Sequence, residues 1–325
     1  MLRILFTSED LARLRFGGAP DPLWELVLSI HMLRGQPGDL LFTQWRKTTA
    51  NALRSGGLGP GGRLLNDLTP TLGYFPDFLN PTAAEGLDGG LEAIRSTPTT
   101  VLARDLRRVP IPSRSLDDVR LLMRGDPATL WRLTDAMRAY HNVAVARYQP
   151  VLVAAVECDR RLRMHAMLNG GVRGLLASLR PLMYFSGDEL RVPEHPDQVI
   201  HLNGRGLRLV PSYFCIRHPV TLFDHNLPPV LIYPAVRGPD SLLMRSTAPD
   251  RSLNALIGTT RSAILAAVGL GCSTTDLARR LGISAANASQ HATILRNAGL
   301  ITSHRDGTRM VHRTTALGYA LLHAA

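Results

Sequence analysis

The last quarter of the chain contains a series of helix start and stop signals that few folds accommodate. Ser273 and Asp276 form an S-x-x-D pattern, in which the two side chains bond the free amides of a first helical turn. Gly282 follows after one short helix, where a left-handed residue ends it. Ser284 then caps a second helix, and Gly299 terminates that one. This order of signals predicts a helix-turn-helix.

The second of these helices has two chemically distinct faces. At about 100° per residue, Ala288, Ala292 and Leu295 share one side, which we expect to face the core. The opposite side contains no acidic residue that would repel phosphate. It consists of Ala286, Ser289, Gln290, Thr293 and Asn297. Since Gln and Asn suit adenine edges and Ser and Thr can donate or accept, this face predicts contact with bases.

After the second helix the pattern changes to that of a β-hairpin. A strand from Leu300 leads to the turn Arg305–Thr308, which contains Asp-Gly, and a return strand follows over Arg309–Arg313. Arg305 and Arg309 flank the tip. In a winged helix such a tip lies beside the groove, where arginines bind phosphates without regard to sequence.

The run TTDLARRLGISAANASQHATILRNAGLITSHRDGTRMVHR resembles the winged helix of ArsR-type regulators. Larger apolar residues are usual in that family at Ala288 and Ala292, which predicts looser helix packing here. The resemblance implies a transcriptional regulator that acts as a homodimer, most often a repressor, on double-stranded DNA. The expected DNA-contacting set is Ser273, Thr274, Ser284, Ala286, Asn287, Ser289, Gln290, His291, Thr293, Arg296, Asn297, Arg305 and Arg309.

Three N-terminal segments resemble a domain of unknown function that precedes this winged helix in actinobacterial regulators. They are PLWELVLSIHMLR, LGYFPDFLNP and NGRGLRLVPSYF, and they imply no known ligand. Lys47 is the only lysine beside many arginines, a skew typical of GC-rich genomes.

The net charge of +11 calls for a physical reason. A basic surplus suits a nucleic acid or an anionic membrane surface, although a solvated basic surface without a partner also accounts for it. The segment 253–325 contains seven arginines and two acidic residues, so the C-terminal part carries a dense share of the surplus.

The sequence predicts an α+β protein with a helical and antiparallel-sheet N-terminal domain and a C-terminal winged helix-turn-helix. We expect 1–180 to be mostly helical, 181–236 to form an antiparallel meander packed on it, 237–252 to be a linker and 253–325 to be the winged helix. Pro22 suits a first helical turn, and Pro150 should break a helix. Asn203-Gly204 predicts a hairpin, because a type I′ turn needs positive φ at both positions.

The three cysteines, Cys158, Cys215 and Cys272, are too sparse for a disulfide framework or a cysteine-rich zinc site. The last helix, expected over Ala316–His323, offers only His323 as a ligand, so we expect no metal and no cofactor. The N-terminus lacks a signal-peptide pattern, and the apolar runs are too short for a membrane span, which predicts a cytoplasmic protein.

The N-terminal aromatic residues offer the best candidates for a small organic effector site, although core packing explains each of them equally well. They are Trp24, Trp45, Tyr74, Phe75 and Trp131. Three functions remain open: a dimeric regulator whose N-terminal domain senses an effector or sets the dimer, an enzyme tethered to DNA, and a partner-binding module. Missing catalytic motifs argue against an enzyme, and the arginine-flanked wing argues against the module.

Overall fold

The chain forms two compact units, Met1–Met244 and Arg245–Ala325, which we call the N-terminal unit and the C-terminal unit. The computed structural model describes residues 1–34, 42–70, 74–82, 85–216, 218–236, 254, 256–268, 272–306, 309–315, 317–318 and 321. The predicted linker, 237–252, lies outside the described residues. Both units combine helices with strands, so the α+β class is confirmed.

Helices account for about half of the described residues of the N-terminal unit. They are α1 (Ser8–Ala12), α2 (Pro22–Leu33), α3 (Thr43–Gly56), α4 (Gly62–Leu68), α5 (Gly86–Arg95), α6 (Thr99–Leu106), α7 (Leu116–Met123), α8 (Pro127–Ala144) and α9 (Gln149–Ala177). The start of α2 follows the predicted signal, because Asp21 accepts from the amides of Leu23 and Trp24 while Pro22 occupies the first turn.

The break predicted at Pro150 is confirmed. α8 ends at Ala144, a short 3₁₀ turn follows, and Pro150 lies in the first turn of α9, where its missing N–H leaves no bond unmade. The stop predicted near Gly170 and Gly171 is instead an interruption. Gly171 has φ of 59°, and the chain then returns to helix as far as Ala177.

Eight strands of the N-terminal unit form two sheets among the described residues. They are β1 (Leu2–Leu5), β2 (Arg15–Phe16), β3 (Tyr184–Ser186), β4 (Glu189–Val192), β5 (Gln198–His201), β6 (Arg208–Ser212), β7 (Val220–Thr221) and β8 (Val230–Pro234). One sheet has the order β3-β4-β1-β5, and the other has the order β2-β6-β8-β7.

The predicted antiparallel meander over 181–236 is wrong, because strands from the beginning of the chain enter both sheets. β1 lies between β4 and β5, antiparallel to the first and parallel to the second. β6 is parallel to both of its neighbours, β2 and β8. Only β3 with β4 and β7 with β8 pair as consecutive antiparallel strands in the described part of this region.

The Asn203-Gly204 turn shows why the meander does not form. Asn203 has φ of 53° and Gly204 has φ of 80°, so the predicted positive φ at both positions is confirmed. The predicted hairpin is nevertheless wrong, because the strands on either side of the turn, β5 and β6, belong to different sheets. α1 holds the turn in place: Arg13 donates to the Gly204 carbonyl at 2.7 Å, and Asp10 accepts from the Gly206 amide at 2.8 Å.

Two hydrophobic cores lie in the N-terminal unit. The larger core gathers side chains from the helices and from the second sheet, with Trp45 and Tyr140 among its largest fully buried members. The smaller core packs the first sheet, including Leu2 and Ile4, against the end of α9 and against Tyr233 of β8.

Glu25, fully buried in the first turn of α2, binds the end of β6. Its two carboxylate oxygens accept from the Tyr213 amide at 2.8 Å, the Phe214 amide at 3.0 Å and the Ser212 hydroxyl at 2.9 Å. Burial nevertheless raises the pKa of Glu25 to about 7, because removal from water penalises the charged form more than these three donors favour it.

Two further carboxylates bind backbone amides that follow β6 in the chain. Asp77 accepts from the amides of Phe223 and Asp224, at 3.1 and 2.8 Å. Asp159 of α9 forms a buried ion pair with Arg163 at 2.9 Å, accepts from the Tyr233 hydroxyl and binds the Val236 amide at 3.1 Å. The helices therefore fix the positions of the loops between the late strands.

The C-terminal unit contains α10 (Thr259–Val268), β9 (Cys272–Ser273), α11 (Thr274–Leu281), α12 (Ala285–Asn297), β10 (Ile301–Asp306) and β11 (Arg309–Thr314). Its three strands have the order β10-β11-β9. The helices pack around a small apolar core that includes Ile264, Leu277 and Leu295. This arrangement of helices and strands is that of a winged helix-turn-helix.

Glu25→Gln should lower the free energy of unfolding of the N-terminal unit by about 1–3 kcal/mol near pH 5, because an amide group would face donors that need an acceptor. The folded pKa of about 7 lies above the ordinary value of 4.5. The stabilisation from Glu25 is therefore fully present below about pH 4.5 and is lost as pH rises through about 7. Urea denaturation followed by tryptophan fluorescence from about pH 5 to about pH 8 measures this decline, since all three tryptophans belong to this unit.

The exposed Glu85 provides the matched control, because Glu85→Gln should leave both the stability and its pH dependence unchanged. Parallel stability–pH curves for the wild type and Glu25→Gln would contradict the raised pKa assigned to Glu25.

Candidate DNA-binding surface

Side-chain caps define the helix pair of the C-terminal unit. The Ser273 hydroxyl accepts from the Asp276 amide at 3.2 Å and lies 2.7 Å from an Asp276 carboxylate oxygen. Gly282 ends α11 in the left-handed region, with φ of 64°. The Ser284 hydroxyl accepts from the Asn287 amide at 3.2 Å and starts α12. The predicted helix starts and the glycine stop are all confirmed.

The core-facing side of α12 consists of small side chains. Ala288, Ala292 and Leu295 are each at most 1% exposed, as the helical periodicity predicts. Both alanines are therefore fully covered. Burial of this side turns the opposite side of the helix outward.

That outward side presents the side chains predicted to contact DNA. Those exposed to solvent are Ser284, Ala286, Asn287, Ser289, Gln290, Arg296 and Asn297. Thr293 and His291 are half-buried, and the buried His291 Nδ1 has no hydrogen-bond partner among the described residues. Since none of these residues is acidic, the surface is compatible with a closely approaching phosphate backbone.

The wing is a two-stranded ribbon formed by β10 and β11. The antiparallel register pairs Ile301 with Thr314 at the base and Asp306 with Arg309 near the tip. The Arg305 side chain is exposed. The side chain of Arg309 and the turn residues Gly307 and Thr308 lie outside the described residues.

Ser273, at the start of α11, was expected to contact DNA but is buried. Ser273 is 8% exposed, and its hydroxyl is engaged in the cap, so the structure places it beneath the surface and not on it. Thr274, the next residue, is half-buried and its hydroxyl lies 2.9 Å from His312 Nε2. His312 belongs to β11, which follows both helices of the pair in the sequence.

Two groups near the surface escaped the sequence analysis. Arg279 and Arg280 are exposed in the last turn of α11. Two consecutive arginines in a basic segment could have indicated a phosphate-binding position. Arg279 is paired with Asp276 at 2.6 Å. His312 is 4% exposed, and no local pattern marks it, because its role depends on which strands pair.

The five aromatic residues proposed for an effector site do not form a single cluster. Trp24 and Phe75 contact each other edge to face, whereas Trp45 packs with Phe42 and Phe214 and donates to the Ala144 carbonyl. Trp131 is 53% exposed on α8 and lies under the Arg95 guanidinium.

Tyr74, the remaining aromatic residue, lies edge to face against Phe223. Phe223 lines a surface cavity of about 210 Å³, with Arg108 stacked on its ring. The other residues around this cavity are Arg104, Asp224, His225 and Asn226. The cavity therefore combines an aromatic wall with two arginines and an acidic residue, and Arg104 is ion-paired with Asp105 and Asp224.

Within the described part of the chain, no group of three or more His, Cys, Asp or Glu side chains is placed to hold a metal ion. The described helices include none with the length and apolar composition needed to span a membrane.

Comparison with known proteins supports the assignment of the C-terminal unit. A family model described as a helix-turn-helix domain matches residues 259–304, which cover α10, α11, α12 and most of β10. No match was found among the curated proteins or among the solved structures. The chain therefore contains a helix-turn-helix domain of the kind that binds DNA, and this supports a DNA-binding regulator of transcription.

Proposed function

We propose that the protein is a sequence-specific DNA-binding transcriptional regulator of the ArsR type. The observation that carries the proposal is the exposed, acid-free face of α12 on a fully capped helix pair. A solvent-facing helix on an ordinary domain more often carries Glu and Lys. Small polar side chains instead permit the helix to enter the major groove and to bond base edges.

Within this face, Gln290 is the residue best suited to select a base. It is exposed near the middle of the helix, and its amide can bond an adenine edge at two atoms. Arg296 and Asn297 lie at the C-terminal end of α12, and Arg305 extends the basic surface onto the wing. In this proposal α12 supplies specificity and the wing supplies affinity that does not depend on sequence.

We propose that the protein acts as a homodimer, because a single helix-turn-helix reads only a short site and two-fold symmetry doubles it. Two exposed leucines of the C-terminal unit support this arrangement. Leu256 is 70% exposed before α10, and Leu317 is 59% exposed after β11. A second copy of the same unit would cover such apolar side chains.

The N-terminal unit accounts for most of the chain, and a domain of that size is unnecessary for joining two winged helices. We propose that it senses a small organic effector, without a metal or a catalytic step, in the cytoplasm. The cavity beside Tyr74 and Phe223 is the most suitable site, and the protein would act as a repressor if its operators overlap promoters. An effector changes DNA affinity only if it binds the two states differently.

Gln290→Ala should relax the preference at one base pair of the operator, at a cost of about 1–3 kcal/mol for the specific site, because one bidentate contact is lost. Binding competition with a library of duplexes derived from the protein's own promoter measures this preference. Gln44→Ala, which removes an exposed glutamine from α3, should have no effect. Wild-type protein that binds the library without any sequence preference would overturn the proposed function.

Arg305→Ala should weaken binding to all duplexes by similar factors and should reduce the slope of log affinity against log salt by about one, because one phosphate contact and its released counterion are lost. Arg124→Ala removes an exposed arginine from the N-terminal unit and should leave the slope unchanged. Equal slopes for the wild type and Arg305→Ala would place the wing outside the interface.

The dimer is tested by sedimentation of the full chain at micromolar concentrations. Leu256→Gln and Leu317→Gln should shift the equilibrium towards monomer, because the covered apolar area is lost. Leu168→Gln changes a leucine of α9 that is 82% exposed, and it should leave the dimer intact. If only Leu168→Gln dissociated the dimer, the interface would lie at α9 and not at the two leucines of the C-terminal unit. If the wild type were a monomer, the proposed dimer would be wrong.

A further inference from the structure

His312 connects the wing to the start of α11 through both of its ring nitrogens. Nε2 lies 2.9 Å from the Thr274 hydroxyl, and Nδ1 lies 2.8 Å from the Ser303 hydroxyl of β10. The cross-strand register brings these groups together, because His312 pairs with Ser303 on one side and with Cys272 on the other. The ring is therefore held between two hydroxyls.

The environment of the imidazole favours its neutral form. His312 is 4% exposed, and burial lowers its pKa, with the nearby Arg296 guanidinium acting in the same direction. A neutral imidazole carries one N–H and one acceptor nitrogen. It therefore has to donate to one of the two hydroxyls and accept from the other.

Thr274 is the first residue of α11, and the first-turn amides of a helix lack partners within the helix. The Asp276 carboxylate in the same turn is engaged by the Ser273 hydroxyl and by Arg279. A helix start of this kind can bind phosphate oxygens, which only accept hydrogen bonds. When His312 carries its proton on Nε2, the Ser303 hydroxyl donates to Nδ1 and Nε2–H donates to the Thr274 oxygen. The hydroxyl hydrogen of Thr274 is then available for an acceptor outside the protein.

We propose that His312 is a positioning residue for DNA binding, which orients the Thr274 hydroxyl so that it donates to a backbone phosphate. The proposal rests on the proposed function and adds one contact to it. All donors point in one direction, from Ser303 through His312 and Thr274 to the phosphate. In the other tautomer the Thr274 hydroxyl donates to Nε2 and cannot donate to DNA, so phosphate binding selects the Nε2–H form.

Two substitutions that differ by one methylene group test this arrangement in the full-length protein. The side-chain amide in His312→Gln reaches the position of Nε2 and can still donate to Thr274. The shorter amide in His312→Asn reaches only the position of Nδ1, beside Ser303. His312→Asn should weaken binding to a random-sequence duplex by up to about tenfold, because the Thr274 hydroxyl is no longer held in the orientation that donates to phosphate, whereas His312→Gln should retain most of the affinity.

The salt dependence separates positioning from a displaced wing. A hydroxyl is uncharged and releases no counterion, so the slope of log affinity against log salt should be unchanged in His312→Asn. A wing that has moved would lose the contact of Arg305 and would lower the slope. Thermal unfolding midpoints of both variants report whether the unit remains folded.

Thr274→Val removes the hydroxyl at nearly constant shape and completes a double-mutant cycle. The variant that carries both Thr274→Val and His312→Asn should bind no more weakly than Thr274→Val alone, because His312→Asn acts only through the hydroxyl that Thr274→Val removes. The nitrogen-15 shifts of the His312 ring should show the Nε2–H tautomer in the DNA complex, a readout that a purely structural histidine would not change on binding.

Additive losses in the cycle, a reduced salt slope, or equal defects in His312→Gln and His312→Asn would each overturn this role while the proposed function stands. A wild-type protein that fails to bind duplex DNA at low salt would overturn both.

Discussion

The N-terminal unit depends on buried carboxylates that bind backbone amides far away in sequence. Asp10, Glu25, Asp77 and Asp159 accept, in that order along the chain, from amides at Gly206, Tyr213 and Phe214, Phe223 and Asp224, and Val236. Amides in these irregular stretches lack ladder partners, and a buried amide without an acceptor is costly. The carboxylates supply that acceptor, so the helical half of the unit determines the path of the late strands and their loops.

This dependence explains which parts of the fold were predictable from sequence. The helix starts signalled by Pro22, Ser273 and Ser284 and the stop at Gly282 are local, because each signal and the amides or carbonyls it affects lie within a few residues of each other. The pairing of β1 with β5 joins residues nearly two hundred positions apart. No periodicity in either strand records its partner, so a meander of consecutive strands was the simplest interpretation and was wrong.

The same distinction applies to the candidate DNA-binding surface. The outward face of α12 follows from helical phase alone, and the structure exposes four of its five predicted side chains and leaves Thr293 half-buried. The burial of Ser273 and the contact between Thr274 and His312 follow from the pairing of β9 with β11, which closes the helix pair against the wing. A sequence pattern can indicate that a serine caps a helix, but not that a strand then covers it.

The two alanines on the inner side of α12 also bear on how the protein can diverge. Ala288 and Ala292 allow the helix to lie close to its core without long side chains that wrap towards the outer face. The outer positions consequently make little contribution to stability, and surface substitutions of this kind usually change it by about 0.5 kcal/mol or less. Substitutions on the outer face of α12 can therefore change what the helix contacts without first losing the fold.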